Sequence, residues 1–132
     1  AVMYEKVTRG VRVRARPQFV EDQSDADAGR YFWAYTIDII NEGQVPVRLR
    51  TRYWRITDEA GRVEEVSGPG VVGETPYLIP GATFTYTSGC PLSTPSGIMV
   101  GHYRMVTDEQ EVIVVDIPAF SLDSPYARRV MN

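Results

Sequence analysis

From Tyr31 to Asn41 the chain alternates. Tyr31, Trp33, Tyr35, Ile37 and Ile39 fall on one face of an extended backbone, with Thr36 and Asp38 marking the other as wet. A period of two, carried by aromatic and β-branched side chains, is the pattern of a half-buried β-strand. No segment of the 132 residues holds an apolar period near 3.6. The chain must therefore bury its apolar surface by packing sheets.

The same alternation recurs along the sequence. Val7 to Arg16 sets Val11, Val13 and Ala15 against Arg12, Arg14 and Arg16, and Pro17 ends it. An acidic stretch through Gly29 reads as a polar loop. After the Asn41-Glu42-Gly43-Gln44 turn, Val45 to Thr57 forms a long strand whose phase slips. Val45, Val47 and Leu49 share one parity, but Trp54 and Ile56 have the other. One inserted residue near Thr51 to Tyr53, a β-bulge, accounts for the switch. Asp58 to Gly61 is a hairpin turn into a short strand, Arg62 to Val66. Further strands are expected at Thr83 to Thr87, Ile98 to Val106 and Val112 to Ile117, with Pro118 closing the regular structure. Asp123 onward reads as a loose tail, which leaves one domain over 1–132 with its core at about 7–122.

Seven or more short strands with turn signals every ~8–12 residues predict an all-β chain. They fit an immunoglobulin-like or fibronectin-III-like β-sandwich, with a closed barrel as the alternative. Tyr103, in a late strand, is placed as a tyrosine corner whose hydroxyl ties back to backbone. No apolar run approaches the ~20 residues that span a bilayer, and the N-terminus lacks a signal peptide's apolar core, so no membrane insertion is expected. Cys90 is the single cysteine, so no internal disulfide can form, which fits a reducing compartment.

The joint between the two halves is Glu65-Val66-Ser67-Gly68-Pro69-Gly70-Val71-Val72-Gly73-Glu74. Its glycines, Gly68, Gly70 and Gly73, have the G-x-G-x-x-G spacing that cradles a dinucleotide pyrophosphate when a helix opens at the third glycine. Pro76 and Pro80 forbid that helix, and no strand–helix–strand unit surrounds it. What survives is a backbone anion nest over Gly68, Gly70, Val71, Val72 and Gly73. The plainer reading is an ordered crossover that needs glycine for its turns.

The net charge of −3 argues against a general nucleic-acid binder. Thirteen of the fourteen basic residues are arginines, and two stripes stand out: Arg9, Arg12, Arg14 and Arg16, then Arg48, Arg50 and Arg52. Alternate arginines on a strand form a comb of guanidinium groups ~6.6–7 Å apart, suited to phosphates or carboxylates. The second stripe is the candidate basic surface. The competing reading is a wet sheet face whose arginines pair with neighbouring acids. His102, the only histidine, and Cys90 make no metal-ligand spacing, so no metal or cofactor is expected. No nucleophile elbow, Walker loop or paired-carboxylate motif occurs, and no catalytic residue is assigned.

At Arg52-Tyr53-Trp54-Arg55-Ile56-Thr57-Asp58 the sequence begins to resemble a known family. With Glu64 to Gly73, Tyr86-Thr87-Ser88-Gly89, Thr94-Pro95-Ser96-Gly97 and Gly101-His102-Tyr103, it looks like the bacterial ApaG family, also called CorD, from about Val7 to Leu122. The resemblance implies a fibronectin-III-like sandwich in a cytoplasmic bacterial protein, often encoded beside a diadenosine-tetraphosphate hydrolase. It implies no established chemistry, only an association with cobalt tolerance and magnesium efflux. Similar domains appended to eukaryotic F-box proteins and to a polymerase-interacting protein look like protein-interaction modules. The sequence therefore points first to a non-enzymatic module for an unidentified protein partner. A small-anion or pyrophosphate binder through Gly68–Gly73 comes second and direct divalent-metal binding third; homo-oligomerisation is left open.

Overall fold

A computed structural model describes residues 2–127 as nine strands and two single-turn 3-10 helices. One sheet holds four strands in the order β1 (Tyr4–Thr8), β2 (Val11–Phe19), β3 (Tyr31–Asn41), β7 (Thr83–Leu92). The other runs β5 (Val63–Pro69), β4 (Val47–Asp58), β8 (Gly97–Thr107), β9 (Val112–Leu122), with the two-residue β6 (Tyr77–Leu78) also on β4. All the pairings are antiparallel. The two sheets face each other as a fibronectin-III-like sandwich, not a closed barrel.

The core lies where the alternation places it. Trp33, Tyr35, Ile37 and Ile39 of β3 face Trp54, Met99, Met105, Val115 and Phe120 of the other sheet, and all are buried. At its centre the Tyr35 ring meets Trp54 edge-on at 5.4 Å, and Trp54 meets Phe120 edge-on at 5.8 Å. These edge-to-face contacts add to area burial. The wet face of β3 is an exception to its sequence reading. Asp38 is only 9% exposed, and its carboxylate accepts from Thr85 Oγ1 at 2.8 Å and Arg16 Nη2 at 3.3 Å. A carboxylate can sit there because both neighbouring strands bring it donors.

Several strand ends differ from expectation for identifiable reasons. Val7 to Arg16 is two strands, because Arg9 and Gly10 both adopt positive φ and turn β1 back along β2. Pro17 does not end β2. It lies past Ala15, the last residue paired to β1, so that side has no ladder for a proline to break. Pro118 does not end β9 either, since a register shift opposite Val100 absorbs it and pairing resumes at Phe120. The acidic loop is ordered by the 3-10 turns Glu21–Gln23 and Ala26–Ala28 and an Asp25–Arg30 bridge.

Of the expected tail, residues 123–127 are docked. Trp33 Nε1 donates to the Asp123 carbonyl at 2.8 Å, and Tyr126 packs on Phe19 and Tyr31. Residues 128–132 lie outside the described residues. Tyr103 is not a tyrosine corner: its hydroxyl meets the Tyr86 hydroxyl across the sheets, in the buried core.

The two long sides of the sandwich differ. Along one, β9 packs on β1 and β2 and is stitched to β1 by Lys6–Asp116 at 3.1 Å, with Arg9–Glu111 at 3.1 Å beside it. Along the other, β5 and β7 are both sheet edges and do not pair, leaving an opening into the interior.

Candidate functional site

The opening is shaped by one inserted residue. β4 pairs with β8 as Leu49–Met105 and then Thr51–Arg104, so Arg50 is the bulge, just upstream of the expected 51–53. The bulge re-aims everything after it. Arg52 pairs with Tyr103 and shares the inner face with Trp54 and Ile56. The comb of Arg48, Arg50 and Arg52 does not exist as a surface.

Each of the three arginines has a separate environment. Arg48 donates Nη1 to the Thr75 carbonyl at 2.8 Å and lies 5.0 Å from the Tyr77 ring centroid, a cation–π contact. Arg50 is exposed, and its carbonyl accepts from the Gly70 N–H at 2.8 Å. Arg52 is half-buried at the opening. The stripe on β2 lies on the opposite sheet and is neutralised: Arg12 meets Glu5 and Glu42, Arg14 meets Glu5, and Arg16 meets Asp38. The hydrogen bond from Arg14, reinforced by Arg12, holds the Glu5 carboxyl below its usual value.

The glycine stretch is built around Arg52. Gly68 pairs with it, and a Cβ there would stand 3.3 Å from its guanidinium. Arg52 Nη1 donates to the Pro69 carbonyl at 3.0 Å and the Gly70 carbonyl at 2.9 Å. Gly70 has φ +62°, and a Cβ there would be 2.4 Å from the Glu74 carbonyl oxygen, so no other residue fits. Val71 is wholly buried as a plug. Val71 and Glu74 exchange backbone hydrogen bonds of 2.8 and 2.9 Å across a tight turn whose middle residues, Val72 and Gly73, both have positive φ.

The expected backbone nest is therefore largely spent. The N–H groups of Gly70, Val71 and Glu74 already have acceptors, and Val72 and Gly73 have none among the described residues.

Four side chains join this loop at the opening: Tyr35, Trp54, Tyr86 and Ser88. Tyr35 and Ser88 are register partners on the paired strands β3 and β7. Burial pushes the Tyr35 and Tyr86 phenols up, and Tyr103 well up, each opposed by the nearby Arg52 charge. Farther along the opening lie the buried Cys90 and the exposed Glu64. Burial, with Glu64 nearby, raises the Cys90 thiol to about 11, so it is a protonated thiol at neutral pH rather than a nucleophile.

On the outer face, Tyr53 stacks on His102 with centroids 4.9 Å apart and donates its hydroxyl to Glu65 at 2.6 Å. Among the described residues no three of His, Cys, Asp and Glu come together as a metal-binding group, and no helix is long and apolar enough to cross a membrane.

Sequence reasoning singled out Arg52 for the wrong face and missed Tyr35, Tyr86 and Ser88. Their inward parity was readable, because Tyr86 and Ser88 alternate with Thr85 and Thr87. What hid the site is the bulge position, since a slip of one residue decides which face Arg52 occupies.

The fold and this opening define a two-sheet sandwich domain with a polar cleft along one side. The model of the ApaG domain family matches residues 21–107. A Protein ApaG of Rhizobium etli is 58% identical over 130 residues, 98% of this chain and 100% of that protein. The Protein ApaG of Beijerinckia indica is 55% identical over the same shares. A crystal structure of a Bordetella pertussis protein described as ApaA superposes with TM-score 0.85 at 43% identity, covering 96% of this chain and 100% of that one. The chain belongs to the ApaG family.

Proposed function

We propose that this domain is a protein-interaction module whose docking element is the free edge of β7. One observation carries the reading. β7 runs ten residues, Thr83-Phe84-Thr85-Tyr86-Thr87-Ser88-Gly89-Cys90-Pro91-Leu92, with a free edge and no charged side chain. An unpaired strand edge offers a row of N–H and C=O groups to an extended segment of another chain, and protein edges are normally blunted by charge or covered.

The other three edges are managed in those ways. β1 and β9 cover each other, and β5 carries Glu64 and Glu65. The partner supplies an extended strand antiparallel or parallel to β7. Any role in cobalt tolerance or magnesium efflux then runs through that partner. No catalytic step is assigned to the domain.

The test is hydrogen exchange of the labelled chain with and without partner protein purified from its own bacterial extract. A stoichiometric partner that protects amides of β7 supports the reading. Protection confined to another edge, or no stoichiometric partner, sinks it. Thr83→Lys with Thr87→Lys is expected to weaken capture at least ten-fold while leaving the fold intact. Self-pairing of β7 edges would appear instead as a dimer by light scattering.

A further inference from the structure

The cleft contains a cation that the fold does not neutralise. Arg52 takes part in none of the ion pairs among the described residues. Its Nη1 is fully used by the Pro69 and Gly70 carbonyls. Nε and Nη2 have no acceptor among the described residues, and neither is sealed from solvent. These two nitrogens carry the parallel N–H bonds of the guanidinium's side-on fork, the geometry that grips two oxygens of one anion. A half-buried guanidinium whose fork faces solvent is hydrated when alone and can exchange that water for two oxygens of one anion.

The surrounding groups are donors on other walls of the same pocket. Tyr86 and Tyr103 share one hydrogen bond between two hydroxyls, which uses one of their two protons. Tyr103 is wholly buried, so the arrangement with Tyr103 donating leaves the Tyr86 O–H for the cleft. Ser88 lines the pocket with Tyr35, its register partner on β3. The Val72-Gly73 turn also lines it, and the two N–H groups of that turn have no acceptor among the described residues.

This half of the cleft, lined by Arg52, Tyr86, Ser88 and the turn, has no carboxylate of its own; Glu64 lines the adjoining half, which Arg52 and Ser88 also border, and it makes no ion pair with Arg52. Its volume, about 210 Å³, is below the ~300–1,000 Å³ of pockets that hold drug-sized ligands. A single tetrahedral group fits there.

We propose that the pocket between Arg52, Tyr86, Ser88 and the Val72-Gly73 turn binds one tetrahedral oxyanion of the phosphoryl class, free or as a terminal monoester. Donors contributed by both sheets and the loop suit the several oxygens of a tetrahedral oxyanion better than the two of a planar carboxylate. The site combines side chains of both sheets with the turn of the glycine loop, and Gly68 serves it by making room for Arg52. Tyr86 and Ser88 belong to β7, so the test uses the chain with no partner on that edge.

The experiment is an NMR titration of the labelled full chain at constant ionic strength with inorganic phosphate, phenyl phosphate and acetate. Saturating shifts at the amides of Val72, Gly73 and Ser88 and at the Arg52 side-chain Nε are expected with both phosphates, with acetate at least ten-fold weaker. Arg52→Gln is expected to weaken phosphate at least ten-fold, Ser88→Ala several-fold, and Arg50→Gln not at all. Ser88→Ala keeps the test decisive if the Arg52 variant unfolds, because it removes one hydroxyl and no loop contact. Phosphate and phenyl phosphate are told apart by whether the ring adds shifts at Trp54, which marks an ester-bearing ligand. No saturation with either phosphate, equal binding by acetate, or unchanged affinity in Ser88→Ala and Arg52→Gln overturns the proposal.

Discussion

Val72 holds a β-branched side chain at φ 44°, in the left-handed region that such residues rarely occupy. The two-residue turn it forms with Gly73 needs positive φ at both positions, which Asn-Gly meets with less strain. Val72→Asn is expected to raise stability by about 1 kcal/mol, read as a higher urea midpoint at unchanged slope.

Gly70 and Gly73 look equivalent in the sequence but differ in space. A Cβ on Gly73 meets nothing within 4 Å, whereas one on Gly70 runs into the Glu74 carbonyl at 2.4 Å. Gly73→Ala is expected to cost about 1–2 kcal/mol from its backbone angle alone. Gly70→Ala is expected to cost clearly more, and a lower urea midpoint for Gly70→Ala than for Gly73→Ala checks the ranking. Spacing announced three glycines, but it could not say that one makes room for an arginine, one for a carbonyl and one only for a turn.

At the scale of elements, alternation placed the core correctly because burial on one face of a strand leaves a period of two that nothing local erases. It failed where one strand carries an extra residue. Trp54 and Ile56 announced a phase slip in β4, yet the slip could have fallen at Arg50, Thr51 or Arg52 with the same apolar pattern. Only pairing with β8 fixes it at Arg50. Tyr103 shows the same limit: its burial was legible, and its partner, a hydroxyl on the facing sheet, was not.

That partnership makes a prediction about the two sheets. Tyr86→Phe leaves the wholly buried Tyr103 hydroxyl without its partner and is expected to cost about 1–3 kcal/mol. Tyr86→Phe with Tyr103→Phe removes both hydroxyls together and is expected to recover a large part of that loss. A double-mutant cycle by urea denaturation measures the coupling, and simple additivity would show that the hydroxyls do not act as a pair.

For the whole molecule the contrast is between a stitched side and an open one. Ion pairs at the β1–β9 side are exposed and contribute little each. The open side concentrates groups that stay protonated because they are buried: Cys90, Tyr35, Tyr86 and Tyr103. This sets the sign of the alkaline response. An unfolded thiol loses its proton near pH 9, while the folded Cys90 keeps it to about 11. Between those values the native state binds more protons than the unfolded one, so stability falls as pH rises, by about 1.4 kcal/mol per pH unit for this group. Below pH 9 both states are protonated and the contribution is fully present. The phenols add to the slope above pH 10, where an unfolded tyrosine begins to ionise. Urea midpoints are expected to be flat with respect to these groups from pH 7 to 9 and to decline steeply from 9 to 11. Cys90→Ser, which has no thiol to ionise, should lose the slope between pH 9 and 10 but keep the tyrosine part above it. If the serine variant declines as steeply as the parent from pH 9, the open side is wetter than its packing shows, and the desolvation that frames the Arg52 pocket is weaker in proportion.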